Sequence, residues 1–242
     1  MSKKKNPDAA NVSVAIHKDC FKATIYPLGE FCREEHAIIL DGRQLYQFEK
    51  DDILFREHET ANGVFCLGSG RAKLIKRGHD GRDHIVRLAK PGDVLGITLF
   101  TSPTYTTSAV ALDEVQACYI SKINFLQIFA AHPRFAMNLM RSVARDIGEV
   151  ERRIAGVCQK TARQRVAEIL LMLLNRYGID QYQYLDIPLP LKDLANFSCT
   201  SCATLSRLLS DFKKRDLIRV KRHKIKLVQL DRLIQIAKLP AN

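Results

Sequence analysis

Between Ile53 and Ile120 the apolar residues fall in short runs separated by chain-breaking ones. The runs are Ile53-Leu-Phe, Val64-Phe-Cys-Leu, Ala72-Lys-Leu-Ile, Ile85-Val-Arg-Leu, Ser108-Ala-Val-Ala-Leu and Gln116-Ala-Cys-Tyr-Ile. Ala61-Asn-Gly, Gly68-Ser-Gly, Arg77-Gly-His-Asp-Gly and Lys90-Pro-Gly-Asp stand between them. Runs this short, recurring about every ten residues with turn residues between, predict an antiparallel β barrel or jelly roll.

The period then changes. Phe125 to Ala130 predicts a short helix ended by His132-Pro133, and a long helix follows from Arg134. Ala136, Met140, Val143, Ile147, Val150, Ile154 and Val157 lie alternately four and three apart, an unbroken heptad seam. Arg141, Arg145, Asp146, Glu149, Glu151, Arg152 and Arg153 occupy its other faces. A helix packed on one globular core shows a wider apolar stripe. The narrow seam therefore predicts pairing with a second copy of the chain, with packing inside one chain as the alternative.

Beyond Gln159 the spacing predicts an amphipathic helix over 163–177, closed by Gly178. Two shorter helices follow, Leu191–Phe197 and about Ser201–Lys214, and then strands at Leu217–Val220 and Ile225–Val228. Helix, helix-turn-helix and hairpin make a winged helix. The expected fold class is α+β: an N-terminal antiparallel β jelly roll over 1–133, a dimerisation helix over 134–158 and a winged helix-turn-helix over 159–242.

Within the second short helix, Leu205, Leu208, Leu209 and Phe212 share one face, which leaves Cys202, Ala203, Ser206, Arg207, Ser210 and Lys213 on the other. Ser201 is placed to cap the helix. An outward Arg near a helix N-terminus can fork onto O6 and N7 of guanine in the major groove. Short Ser and Thr side chains, here Thr200, Thr204 and Ser206, can reach bases or phosphates.

Charge sharpens this picture. From Gln159 onward there are 16 Lys/Arg against 7 Asp/Glu, and before it 22 against 19, so most of the net +12 sits in the last third. Lys192, Lys213, Lys214, Arg215, Arg219, Lys221, Arg222, Lys224 and Lys226 surround the outward helix face. A polyanion is the expected partner, with Lys192, Lys213, Lys221, Arg222 and Lys224 on phosphates. No apolar run is long enough to span a membrane, and no apolar core follows the basic start, so a signal peptide is not expected. The 7 cysteines are irregularly spaced and do not form a disulfide framework, which predicts a cytoplasmic protein.

From about Lys50 to Leu230 the sequence resembles the Crp/Fnr family of bacterial transcription regulators. The matching segments are Phe65-Cys-Leu-Gly-Ser-Gly-Arg-Ala-Lys-Leu, Pro91-Gly-Asp-Val-Leu-Gly, Leu194-Ala-Asn-Phe, Thr204-Leu-Ser-Arg-Leu-Leu and Arg215-Asp-Leu-Ile. The resemblance implies a cyclic-nucleotide-binding-type β-roll, a homodimer on double-stranded palindromic DNA, a guanine contact from Arg207, and RNA polymerase as a further partner. It also marks departures. Family members carry Glu where this chain has Ala203, so the family half-site does not transfer intact. Cyclic-AMP-binding members carry Glu after the glycine aligned with Gly96, and an Arg before the Ser/Thr-Ala pair. Here Ile97 and Thr107-Ser108 stand in that effector region, so cyclic AMP is not the expected effector.

Fnr-like members hold an iron–sulfur cluster on three N-terminal cysteines and one after the β-domain. Cys118 aligns with the last, but upstream only Cys20 and Cys32 are available, with His17 nearby. A redox or cluster-sensing regulator using Cys20, Cys32 and Cys118 is the alternative to an uncharged effector or none. Cys199-Thr-Ser-Cys202 is a second candidate redox switch. No catalytic constellation supports an enzyme, and an RNA-binding or protein-docking winged helix is the remaining rival.

Overall fold

The computed structural model describes residues 44–79, 81–221 and 224–238. They form two compact units, one of residues 44–72 with 89–140 and the other of the described residues in 73–88 and 141–238.

The first unit is built on a four-stranded antiparallel sheet of order β1-β8-β3-β6, with β1 at Gln44–Phe48, β3 at Gly63–Ser69, β6 at Val94–Leu95 and β8 at Val115–Ser121. β3 lies between β8 and β6, and Val64, Phe65, Cys66 and Leu67 are all buried. That explains why this run is continuously apolar instead of alternating. Its register on β8 pairs Val64 with Ile120 and Cys66 with Cys118. β2 (Ile53–Phe55) pairs with β7 (Ser108–Ala111) through an irregular register. Aromatic rings fill the interior: Phe55 stacks on Tyr105 at 4.1 Å and on Phe65 at 5.9 Å, and Phe65 meets Tyr119 at 5.1 Å.

β8 runs directly into α1 (Lys122–Ala131), whose first turn is capped by the Ser121 hydroxyl accepting from the Asn124 N–H. Phe125 and Ile128 bury against the sheet, and Phe125 meets Phe135 edge-on at 5.7 Å. Phe135 opens α2, the long helix Pro133–Gln159, and Leu139 is the next buried residue of its first-unit portion.

The second unit holds the hairpin of β4 (Ala72–Arg77) and β5 (Asp83–Ala89), α2 from Arg141 onward, and everything after it. α3 (Ala162–Tyr177) starts at a capping box in which Thr161 and Gln164 satisfy each other's backbone N–H groups. It stops at Gly178, whose φ of 71° and ψ of −153° suit glycine alone. α4 (Leu191–Phe197), α5 (Cys202–Lys214), the hairpin of β9 (Ile218–Lys221) and β10 (Lys224–Leu227), and α6 (Leu230–Ala237) complete the unit. Val166, Leu170, Leu173, Phe197, Leu205, Phe212, Ile218 and Leu233 form its core. Among the described residues, no helix is long and apolar enough to cross a membrane.

The observed class is the expected α+β, with antiparallel sheets first, a long helix and a C-terminal helix-turn-helix. Three elements go beyond the sequence pattern: β1 precedes Ile53, β6 has only two residues, and α6 follows the wing. The partition also differs from three consecutive domains, because the β4–β5 hairpin groups with the C-terminal helices and the first-unit boundary falls inside α2.

Gly70 follows β3 at φ +76°, and a Cβ there would lie 2.1 Å from the Glu114 carbonyl oxygen. Because the obstacle is backbone, Gly70→Ala should destabilise the chain by at least about 1–3 kcal/mol. Urea denaturation measures this, and an unchanged midpoint contradicts the packing described.

Candidate nucleic-acid interface

Polar groups satisfy the turn of the helix-turn-helix. The Ser198 hydroxyl is buried and donates to the carbonyls of Leu194 (2.7 Å) and Ala195 (3.1 Å). Cys199 adopts φ +50°, a left-handed conformation that costs a non-glycine residue roughly 1–2 kcal/mol. Arg165 on α3 offsets this by donating to the Ser198 carbonyl at 3.2 Å and the Cys199 carbonyl at 3.0 Å, with a third bond to Lys160 at 2.7 Å. Buried Ala195 supplies the carbonyl that accepts the Thr200 N–H at 3.0 Å. Thr200 itself is half-buried.

Ser201 caps α5 as its position predicts. Its oxygen accepts the Thr204 N–H at 3.1 Å, and its hydroxyl donates to Thr204 Oγ1 at 2.9 Å. Leu205, Leu209 and Phe212 are buried and Leu208 is half-buried, while Cys202, Ala203, Ser206, Arg207, Ser210 and Lys213 are exposed in one continuous row. Thr204 is half-buried at the edge of this row.

The basic residues around the row divide into two sets. Arg163 and Arg215 are committed to Asp211, at 2.7 and 3.0 Å, and the Arg163 guanidinium also lies over the Phe212 ring. Burial alone would raise the Asp211 carboxyl, but Arg215 and Arg163 outweigh it and hold the group below its usual value. Arg207, Lys192, Lys213 and Lys221 are exposed, and among the described residues none of the four forms an ion pair.

The wing adds a feature that the sequence did not disclose. β9 pairs with β10 in the register Lys221 to Lys224 and Val220 to Ile225. The 178–186 loop joins this hairpin through the Leu185 N–H, which donates to the Ile225 carbonyl at 2.8 Å. The loop brings Asp180 to Lys224 at 2.6 Å and Gln183 to Lys226 at 2.7 Å. The hydrogen bond to Asp180 raises the Lys224 pKa, and the same bond lowers that of Asp180. Lys224 thus differs from the unengaged phosphate contact expected of it. Arg222 lies outside the described residues.

Of the sensor candidates, Gly96, Ile97, Thr107, Ser108 and Cys118 lie in the first unit. Gly96 and Ile97 begin a 3-10 turn, and a Cβ on Gly96 would sit 2.8 Å from the Tyr105 ring. The Tyr105 hydroxyl donates to the Gly63 carbonyl at 2.8 Å, and burial raises its pKa to about 12. Thr107 is half-buried, and Ser108 Oγ accepts the Glu57 N–H at 2.8 Å. Position 107 carries a threonine and position 97 an isoleucine, so neither offers a guanidinium or a carboxylate. Cys118 is buried directly across from buried Cys66. Cys20 and Cys32 lie outside the described residues, and among the described ones no group of three or more His, Cys, Asp or Glu could hold a metal ion.

The candidate seam on α2 is solvent-exposed in a single chain. Met140 (60%), Ile147 (54%), Val150 (42%), Ile154 (61%) and Val157 (47%) remain accessible, and Val143 is half-buried.

Two family models match the chain: the cyclic nucleotide-binding domain over residues 45–132 and the Crp-like helix-turn-helix domain over residues 164–236. The CRP-like cAMP-activated global transcriptional regulator of Mycobacterium tuberculosis is 26% identical over 210 residues, covering 85% of this chain and 94% of that protein. Transcriptional activator protein anr of Pseudomonas aeruginosa is 26% identical over 184 residues, covering 75% and 74%. Among solved structures, FixK2 from Bradyrhizobium japonicum shares the fold with a TM-score of 0.74 at 23% identity, covering 82% of this chain and 99% of that one.

Because the folded Asp211 carboxyl titrates below its ordinary value, its contribution to stability is complete above about pH 3.8 and is lost as pH falls through the folded pKa. Asp211→Asn should lower the urea midpoint at pH 7, and the gap from wild type should narrow on acidification below pH 3.8. A gap independent of pH contradicts the assigned role.

Proposed function

Because the chain belongs to the Crp/Fnr family of DNA-binding transcription regulators, we propose that it acts as a homodimer on a palindromic duplex under an effector other than cyclic AMP. In this proposal each copy lays α5 in the major groove of one half-site. The observation that carries it is the row on α5, in which Arg207 is exposed and free of ion pairs among the described residues while Asp211 engages Arg163 and Arg215. An unengaged guanidinium on an outward helix face can fork onto the O6 and N7 of a guanine. Ser206 and Ser210, on the same row, are short enough to reach neighbouring bases or phosphates. Lys192, Lys213 and Lys221 supply phosphate contacts, and Lys224 joins them only by giving up Asp180.

Dimerisation follows from the seam. Each large apolar side chain that moves from water into a helix–helix contact contributes about 1.5–3 kcal/mol at full burial, and the α2 seam offers a row of them at heptad spacing. A two-fold pair of recognition helices matches a palindrome with half-sites about one turn apart. The proposal excludes cyclic AMP on donor chemistry: Thr107 and Ile97 stand where a phosphate-pairing Arg and a ribose-binding Glu are needed, and Tyr105 packs over Gly96. The relatives named above are regulators, which removes the enzyme reading.

Arg207→Ala should cost about 1–3 kcal/mol on the selected palindrome and leave affinity for random duplex nearly unchanged. Titrations on the two duplexes at one fixed salt concentration measure both. Equal weakening on each would reassign Arg207 to a phosphate.

A further inference from the structure

The β4–β5 hairpin and α4 are far apart in sequence, yet polar side chains join them within the second unit. β5 stands at the edge of its sheet, where backbone N–H and C=O groups have no neighbouring strand. Asn196 on α4 takes that place. Its Oδ1 accepts the Ile85 N–H at 2.7 Å while its Nδ2 donates to the Asp83 carbonyl, so one carboxamide imitates a piece of the missing strand. Lys73 on β4 meets Asp193 on α4 at 2.6 Å, with both side chains mostly buried.

A second residue ties these parts to the long helix. Arg153 of α2 donates to the carbonyls of Val86 (2.7 Å) and Ile85 (3.1 Å) on β5, and of Phe197 (3.2 Å) at the end of α4. Its guanidinium lies 3.9 Å from the centre of the Phe197 ring. Arg87 and Asp146 add a further link from β5 to α2 at 2.9 Å. Arg153 immediately precedes Ile154 of the seam, so one turn of α2 carries both the seam and the grip on the helix-turn-helix.

We infer that Arg153 and Asn196 are positioning residues for DNA recognition: they clamp α4 to the β4–β5 hairpin and to the seam helix, and so set the separation of the two recognition helices in a dimer. This inference rests on the dimeric, palindrome-binding reading given above. α5 follows α4 through the tightly bonded 198–201 turn, so any rotation of α4 about α2 carries the exposed Arg207 row with it. The hairpin returns by chain connectivity to the first unit at both ends, which gives a sensor-side change a covalent route to the clamp.

The test uses the full chain with Asn196→Ala, Asn196→Asp and Arg153→Lys, and has two readouts. Without DNA, hydrogen exchange at the Ile85 amide should accelerate in Asn196→Ala and stay slow in Asn196→Asp, which keeps the accepting oxygen. With DNA, palindromes selected from random duplexes are re-made with one base pair added or removed between half-sites. Wild type should prefer one spacing sharply. Asn196→Ala and Arg153→Lys should flatten that preference and lose about 5- to 20-fold in affinity at the best spacing. Unchanged Ile85 exchange in Asn196→Ala would remove the clamp. Accelerated exchange with an undiminished spacing preference, or with tighter binding at the same spacing, would overturn its positioning role. A wild-type protein indifferent to half-site spacing would instead overturn the dimeric reading, leaving the exchange result to stand alone. Should Asn196→Ala fail to fold, Arg153→Lys carries the spacing test by itself.

Discussion

Beyond Arg141 the long helix α2 carries two faces of different chemistry. Val150, Ile154 and Val157 are exposed along the seam, whereas Asp146, Glu149 and Arg153 turn polar groups to the rest of the second unit. Asp146 holds Arg87 and Glu149 holds Arg176 of α3 at 2.6 Å. Arg153 is the most committed of them: burial lowers its pKa, while Cys199 and Glu149 raise it. A lysine in its place would carry the charge without the planar fork that reaches three carbonyls and covers a ring. A heptad helix alone would fix only where two copies meet. In the proposed dimer, the polar face would also set where each copy presents α5.

The same division between committed and uncommitted charge organises the surface around α5 and the wing. Basic residues are plentiful in the last third, but several have internal duties: Arg165 satisfies the turn, Arg163 and Arg215 hold Asp211, and Lys224 holds Asp180. Arg207, Lys192, Lys213, Lys214, Arg219 and Lys221 are among those that stay exposed and free of ion pairs among the described residues, a smaller set than net charge suggests. In the proposed complex, phosphate attraction would draw on all of it, whereas discrimination between sequences would depend on the few side chains in the α5 row.

Local periodicity made much of this legible. The long helix α2, the capped α5 and its buried Leu205, Leu209 and Phe212 all follow from spacings of three and four. β1 escaped notice because Gln44-Leu-Tyr-Gln-Phe is only half-buried and alternates weakly. α6 escaped because eight residues near the chain end owe their helix to burying Leu233 and Ala237, not to propensity. The contacts that give the site its geometry were beyond periodicity altogether. Lys73 with Asp193, Asn196 with Ile85 and Lys224 with Asp180 join residues 120, 111 and 44 positions apart. Each pairs polar groups, and a hydrophobic pattern carries no trace of such contacts. The grouping of the β4–β5 hairpin with the helix-turn-helix rests on contacts of this kind.

In the proposed assembly two copies, joined along α2, read one palindrome. Sedimentation equilibrium of the protein with a selected palindromic duplex, and with the isolated half-site, tests it most directly. The account predicts two chains per palindrome at saturation and a much weaker complex on the half-site. One chain per palindrome, or equal affinity for palindrome and half-site, would contradict it.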